Sequence, residues 1–177
     1  MEKSVKVKLK GISPLLMHSF PMVPLEAAEK RTPEEQAEHA AYRDPDTGEL
    51  YIPGTNIQRA LIGAATYSKG KGRASLQKQT AASVFVSPER ILLGVKKFVV
   101  DSRPVVVPAT KGRVIRHRPR LDSWEVSFEL SWDAALLKES EVRKIVDDMG
   151  ARVGLLDFRP EKKGSFGRCI VTKWDTK

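Results

Sequence analysis

Trp124-Glu125-Val126-Ser127-Phe128-Glu129-Leu130-Ser131-Trp132 alternates, with Val126, Phe128 and Leu130 on one side and Glu125, Ser127 and Glu129 on the other. A period of two is the pattern of a strand with one apolar and one polar face. Downstream, Ser140 is placed to cap a helix in which Val142, Ile145, Val146 and Met149 share a face, with Gly150 as its stop. The turn Lys163-Gly164-Ser165-Phe166-Gly167-Arg168 then leads into a last strand, Cys169 to Trp174. At the other end of the chain, Val5, Val7 and Leu9 alternate with Lys6, Lys8 and Lys10, which predicts a first strand. Thr55 is a good N-cap for a helix that repeats Ile57, Ala60, Leu61, Ala64 and Ala65 and ends near Tyr67. Ala82 to Val86 and Ile91 to Val100 read as strand segments.

Stripped of insertions, the order is strand, helix, two strands or hairpins, helix, strand. The expected fold is therefore α+β, with a ferredoxin-like or RRM-like βαββαβ core in a single domain spanning residues 1–177. Residues 21–46 interrupt it after strand one as an acidic, mobile insertion with a short helix from Pro33 to Tyr42. Residues 101–120 form a basic, Pro-punctuated arm, read as a hairpin or extended loop and thumb-like in placement.

The 177 residues are 41% hydrophobic and 30% charged, which excludes wholesale disorder and collagen-like repeats. No apolar stretch approaches the roughly 18 residues of a membrane span, and the first residues do not build a signal peptide. A lone Cys169 can form neither an internal disulfide nor a thiolate cluster. A cytoplasmic protein without a membrane partner is expected.

The formal charge is +9, and it is unevenly spread. Between Lys69 and Arg120 there are 13 basic residues against Glu89 and Asp101 alone, so the rest of the chain is slightly acidic. A polyanion is the natural partner of such a segment, because phosphate contacts release counterions. Three patches follow. Lys69, Lys71, Arg73 and Lys78 surround flexible glycines; Lys111, Arg113, Arg116, His117, Arg118 and Arg120 lie on the arm; Arg159, Lys162, Lys163 and Arg168 flank the Gly-rich turn. Tyr67, Phe158 and Phe166 are the loop aromatics available for base stacking, whereas Phe85, Phe98, Phe128 and Trp124 are expected to be buried in strands.

Catalytic signals are thin. His18, His39 and His117 are far apart in sequence and show no metal-ligand spacing, and neither a nucleophile elbow nor a phosphate loop is present. No cofactor or metal is expected.

Three stretches together resemble the RAMP superfamily, specifically the repeated backbone subunit of CRISPR RNA-guided effector complexes, closest to the type III form. They are Gly11-Ile12-Ser13-Pro14-Leu15-Leu16 after the first strand, the run Arg43-Asp44-Pro45-Asp46-Thr47-Gly48-Glu49-Leu50-Tyr51-Ile52-Pro53-Gly54-Thr55-Asn56-Ile57, and Val153-Gly154-Leu155 followed by Gly164-Ser165-Phe166-Gly167-Arg168. The resemblance implies a guide-RNA-binding protein of antiviral defence, stacked helically with copies of itself and with other effector subunits. By position it implies RNA contacts at Pro53, Gly54, Thr55 and Asn56, and a thumb at Arg103–Pro119, with Gly164, Ser165 and Gly167 in the turn before the last strand. The family's basic helix positions fall here on Gln58, Ala60 and Ile62, while Arg59 takes a place usually held by glycine. The loop aspartate that takes part in target cutting falls on Glu38, so no target cleavage is expected. The alternatives are a single-stranded DNA-binding or annealing protein on the same fold, and a RAMP-type endoribonuclease using one of the three histidines.

Overall fold

The computed structural model describes residues 1–20, 30–72 and 74–177, so Arg73 and residues 21–29 of the acidic insertion lie outside the described residues. The chain opens with β1 (Glu2–Gly11) and β2 (Leu15–Leu16), followed by α1 (Pro33–Ala40), β3 (Tyr51–Pro53) and α2 (Gly54–Ala64). Next come α3 (Gln77–Ser83), β4 (Val84–Ser87), β5 (Arg90–Leu92), β6 (Val99–Val106) and β7 (Arg113–Leu121). The last elements are β8 (Glu125–Asp133), α4 (Glu139–Asp148) and β9 (Cys169–Thr176). The architecture is α+β, with antiparallel sheets and four helices among the described residues.

The main sheet has the order β4-β8-β1-β9, with every neighbouring pair antiparallel. Its register sets Val5 against Leu130, Val7 against Phe128 and Leu9 against Val126. The alternating apolar residues of the two central strands thus form one buried row, to which Trp132 adds its ring. Burying each such side chain contributes roughly 1.5–3 kcal/mol. Ile57, Leu61 and Ala64 of α2 and Val142, Ile145 and Val146 of α4 close over this face, and the buried apolar residues make one continuous cluster. The arm is a hairpin of β6 and β7, edged by β2, while β3 and β5 pair separately.

Several boundaries differ from the sequence reading. Ala82 and Ser83 belong to α3, not to a strand; its inward positions are Thr80 and Ser83, whose hydroxyls donate to Leu76 O at 2.9 Å and Gln79 O at 2.7 Å. A helix whose buried face is polar leaves no apolar periodicity to read. Of the segment Ile91 to Val100, only Ile91 and Leu92 join β5 and only Val99 and Val100 join β6, with irregular chain between. Thr55 is not the cap of α2: Pro53 holds that place without a side-chain bond. Nor does Ser140 cap α4, where the Glu141 carboxylate accepts from the Lys138 amide at 2.8 Å. Gly150 does not stop that helix either; the chain continues through a wide turn, Met149–Val153, and ends at Gly154 with φ +76°. Phe85, expected in the core, is 57% exposed because the period of β4 turns Val84 inward and Phe85 outward.

Candidate nucleic-acid interface

The open face of the main sheet carries Lys6, Lys8 and Lys10, but β8 and β9 set acids against these lysines. Lys8 pairs with Glu125 at 3.0 Å, Lys177 with Glu129 at 2.6 Å and Lys173 with Asp175 at 2.9 Å. Phe85 is the large aromatic exposed on this sheet. A charge-balanced face with one aromatic is a poor platform for stacking successive bases.

The hairpin is different. Pairing places Arg103 opposite Arg116 and Asp101 opposite Arg118 on one face. Asp101, 3% exposed, accepts from Arg103 at 2.7 Å and Arg120 at 3.0 Å. Burial alone would raise its carboxyl, but the two guanidiniums outweigh that and hold it below the usual range. Arg118 is buried and paired with Asp157. Three of the arm's cations are therefore committed to internal carboxylates. Lys111, Arg113 and Arg116, toward the outer end, have no ion-pair partner among the described residues.

The Gly-rich turn folds back beside this hairpin. The guanidinium of Arg103 lies over Phe158 at 5.3 Å and over Phe166 at 4.8 Å, and those rings meet edge to face at 5.4 Å. The glycines permit close backbone packing: a Cβ on Gly164 would stand 1.9 Å from Phe158 O, and one on Gly167 would stand 2.0 Å from Leu155 O. Ser165 and Arg168 are exposed on the turn, as is Lys163. Between hairpin and turn lies a cavity of about 350 Å³ lined by Arg103, Arg118, Asp157, Phe158 and Lys162.

The Pro53–Asn56 turn reaches the same region. Gly54 is buried, its amide donating to Glu89 O at 2.7 Å, and a Cβ there would stand 2.7 Å from Pro88 O. Asn56 Oδ1 accepts from the Leu156 amide at 3.2 Å and lines a second cavity of about 160 Å³ with His18, Tyr42, Asp157 and Arg159. Thr55 and Arg59 stay exposed. Arm, Gly-rich turn and helix entry thus converge on Asp157, a residue the sequence reading did not single out. Burial would raise its carboxyl, but His18, Arg118 and the Phe158 backbone outweigh burial and hold it at about 2.

A folded-state value below the ordinary 3.8 stabilises the fold above that value and is lost as pH falls from about 4 towards 2. Asp157→Asn is expected to lower the urea midpoint at pH 7 and to shrink the fall in midpoint between pH 5 and pH 3. Parallel pH profiles for the two proteins would contradict this linkage.

The first basic patch is not part of this convergence. Lys69, Lys71 and Lys78 are exposed beyond the C-terminal end of α2, whereas Asn56 is at its N-terminal end. Eleven helical residues span about 16 Å. Arg73 lies outside the described residues.

One grouping was invisible in the sequence. His18, His39 and His117 line a third cavity of about 270 Å³, brought there by the chain after β2, by α1 and by β7. Among the described residues, no group of three or more His, Cys, Asp or Glu side chains is placed to hold a metal ion. Cys169 is buried, and burial pushes its thiol up to about 12, which removes it as a nucleophile. No helix of the described residues is long and apolar enough to cross a membrane. No family model and no curated protein sequence matches this chain.

Proposed function

We propose that this protein binds single-stranded RNA, with guide RNA as its ligand, and stacks with copies of itself into a helical ribonucleoprotein without catalysis of its own. The observation that carries this reading is the convergence of the Pro53–Asn56 turn, the basic hairpin and the Phe158–Arg168 loop on Asp157, which lines two adjoining cavities. Lys111, Arg113, Arg116, Lys162 and Lys163 offer cations to phosphates, and Phe158 and Phe166 offer rings to bases. The strand order β4-β8-β1-β9, with α2 and α4 as the two crossing helices, supports a ferredoxin-like core for this module. Exposed Val106, Val114 and Ile115 on the outer hairpin give a neighbouring copy an apolar contact. A cytoplasmic setting fits this reading.

Purification without nuclease, followed by extraction and sequencing of the bound nucleic acid, tests it. The expected result is RNA of discrete length in a high-mass particle, from which unlabelled RNA displaces a labelled strand better than DNA of the same sequence. Equal displacement would favour a single-stranded DNA-binding or annealing protein, and RNA shortened at a fixed position on incubation would favour an endoribonuclease. A clean monomer that binds no RNA at low salt would overturn the proposal.

A further inference from the structure

The 270 Å³ cavity between α1 and β7 is lined by six cationic or titratable nitrogen groups, those of Arg31, Arg116, Arg118, His18, His39 and His117, and by no carboxylate among the described residues. Among the described acids, two on α1 are engaged away from the cavity, and a third pairs with two of the lining residues. Glu38 holds Arg43, Glu35 accepts from the Thr32 amide at 3.0 Å, and Asp157 lies against Arg118 and His18 in the adjoining cavities. A second observation concerns Arg118 itself. Arg118 is 6% exposed, Asp157 takes only its Nη1, and its Nε is shut from solvent with no hydrogen-bond partner among the described residues. A buried guanidinium N–H without an acceptor is costly, and it leaves Arg118 with unused hydrogen-bonding capacity beside the cavity.

We infer that this cavity is a binding pocket for a phosphomonoester, the charged end of a nucleotide. Guanidinium forks match phosphate oxygens, and a monoester brings close to two charges and three free oxygens to a half-open site. An internal phosphodiester brings one charge and must leave the pocket at both ends. His117 Nδ1 is engaged with Ser102 Oγ at 2.7 Å, which orients its ring and leaves Nε2 for a ligand. The volume is just under the range of about 300–1,000 Å³ typical of drug-sized ligands, so it suits a phosphate with its sugar and not a dinucleotide. Phe20, 77% exposed, lines the same cavity and presents a ring to a base outside it. The chemistry is shared by a free nucleotide and by the phosphorylated end of a strand. The inference shares Arg116 with the RNA contacts proposed above and otherwise rests on Arg31, Arg118 and the three histidines.

Calorimetric titration of the full chain with inorganic phosphate, adenosine 5′-monophosphate and adenosine tests it, alongside a short RNA carrying either a 5′-phosphate or a 5′-hydroxyl. Adenosine monophosphate is expected to bind saturably and at least tenfold tighter than adenosine. Arg31→Ala/Arg116→Ala should weaken it at least tenfold at an unchanged melting temperature, and Lys71→Ala should not weaken it. Arg31 and Arg116 make no ion pair among the described residues, so their removal leaves no buried charge unpaired. A tenfold preference for the 5′-phosphorylated RNA identifies a strand end as the ligand, and no preference identifies the free nucleotide. Equal affinity for adenosine and its monophosphate, or a double variant that binds like the parent, overturns the inference. Binding of the 5′-hydroxyl RNA reports separately on the proposed RNA interface.

Discussion

Glutamate at Lys111, Arg113 and Arg116 together is expected to weaken single-stranded RNA binding on the order of 100-fold at near-physiological salt, with the melting temperature nearly unchanged. The three side chains are exposed or half-exposed, and none has an ion-pair partner among the described residues, so the fold loses little with them. Each cation that neutralises a phosphate adds about 0.7 to the magnitude of the slope of log affinity against log salt. Losing three should therefore flatten that slope by about 2 units, a readout that a merely misfolded variant would not reproduce. Arg103, Arg118 and Arg120 would be the wrong residues for this experiment. Their substitution strands Asp101 or Asp157, so lost stability would mimic lost binding. Anisotropy titrations at several salt concentrations check the prediction, and an unchanged slope would remove the outer hairpin from the interface.

Gly150→Ala is expected to destabilise the protein by about 3 kcal/mol or more, at the upper end of what overpacking usually costs. A Cβ there would stand 2.2 Å from the Cys169 carbonyl oxygen, backbone that pairs β9 to β1 at Gly11. The conflict cannot be relieved by rotating a side chain. It must be relieved by separating the end of α4 from the start of β9. Against a typical total of about 5–15 kcal/mol, that is a large loss. Gly63→Ala is the control, since its Cβ would meet only the flexible carboxylate end of Glu161 at 3.4 Å. Chemical denaturation of both variants checks the pair, and similar midpoints for the two would contradict the close approach.

The framework of the main sheet was legible because its strands bury one face each. Val5, Val7 and Leu9, and Val126, Phe128 and Leu130, show in the sequence the two rows that meet in the register. The apolar faces of α2 and α4 were legible for the same reason. What was hidden is polar or long-range. The helix α3 turns Thr80 and Ser83 inward, and Gly150 reads as a stop although its role is a contact with a strand that begins 19 residues later.

The candidate site divides similarly. Charge concentration in the arm is a local property and could be counted. That Asp101 and Asp157 engage half of its cations depends on cross-strand register and on a loop 39 residues from Arg118. The three histidines, spaced widely along the chain, meet only because α1 and the chain after β2 both lie along β7.

Ultraviolet cross-linking of a bound single-stranded RNA, with the attached peptides identified by mass spectrometry, distinguishes the hairpin and Gly-rich turn from the open sheet face as the RNA-binding surface. Cross-links in peptides covering residues 99–121 and 157–168, suppressed in the triple glutamate variant, are the predicted result. Cross-links confined to β1 and β8, on the open face of the main sheet, would contradict it.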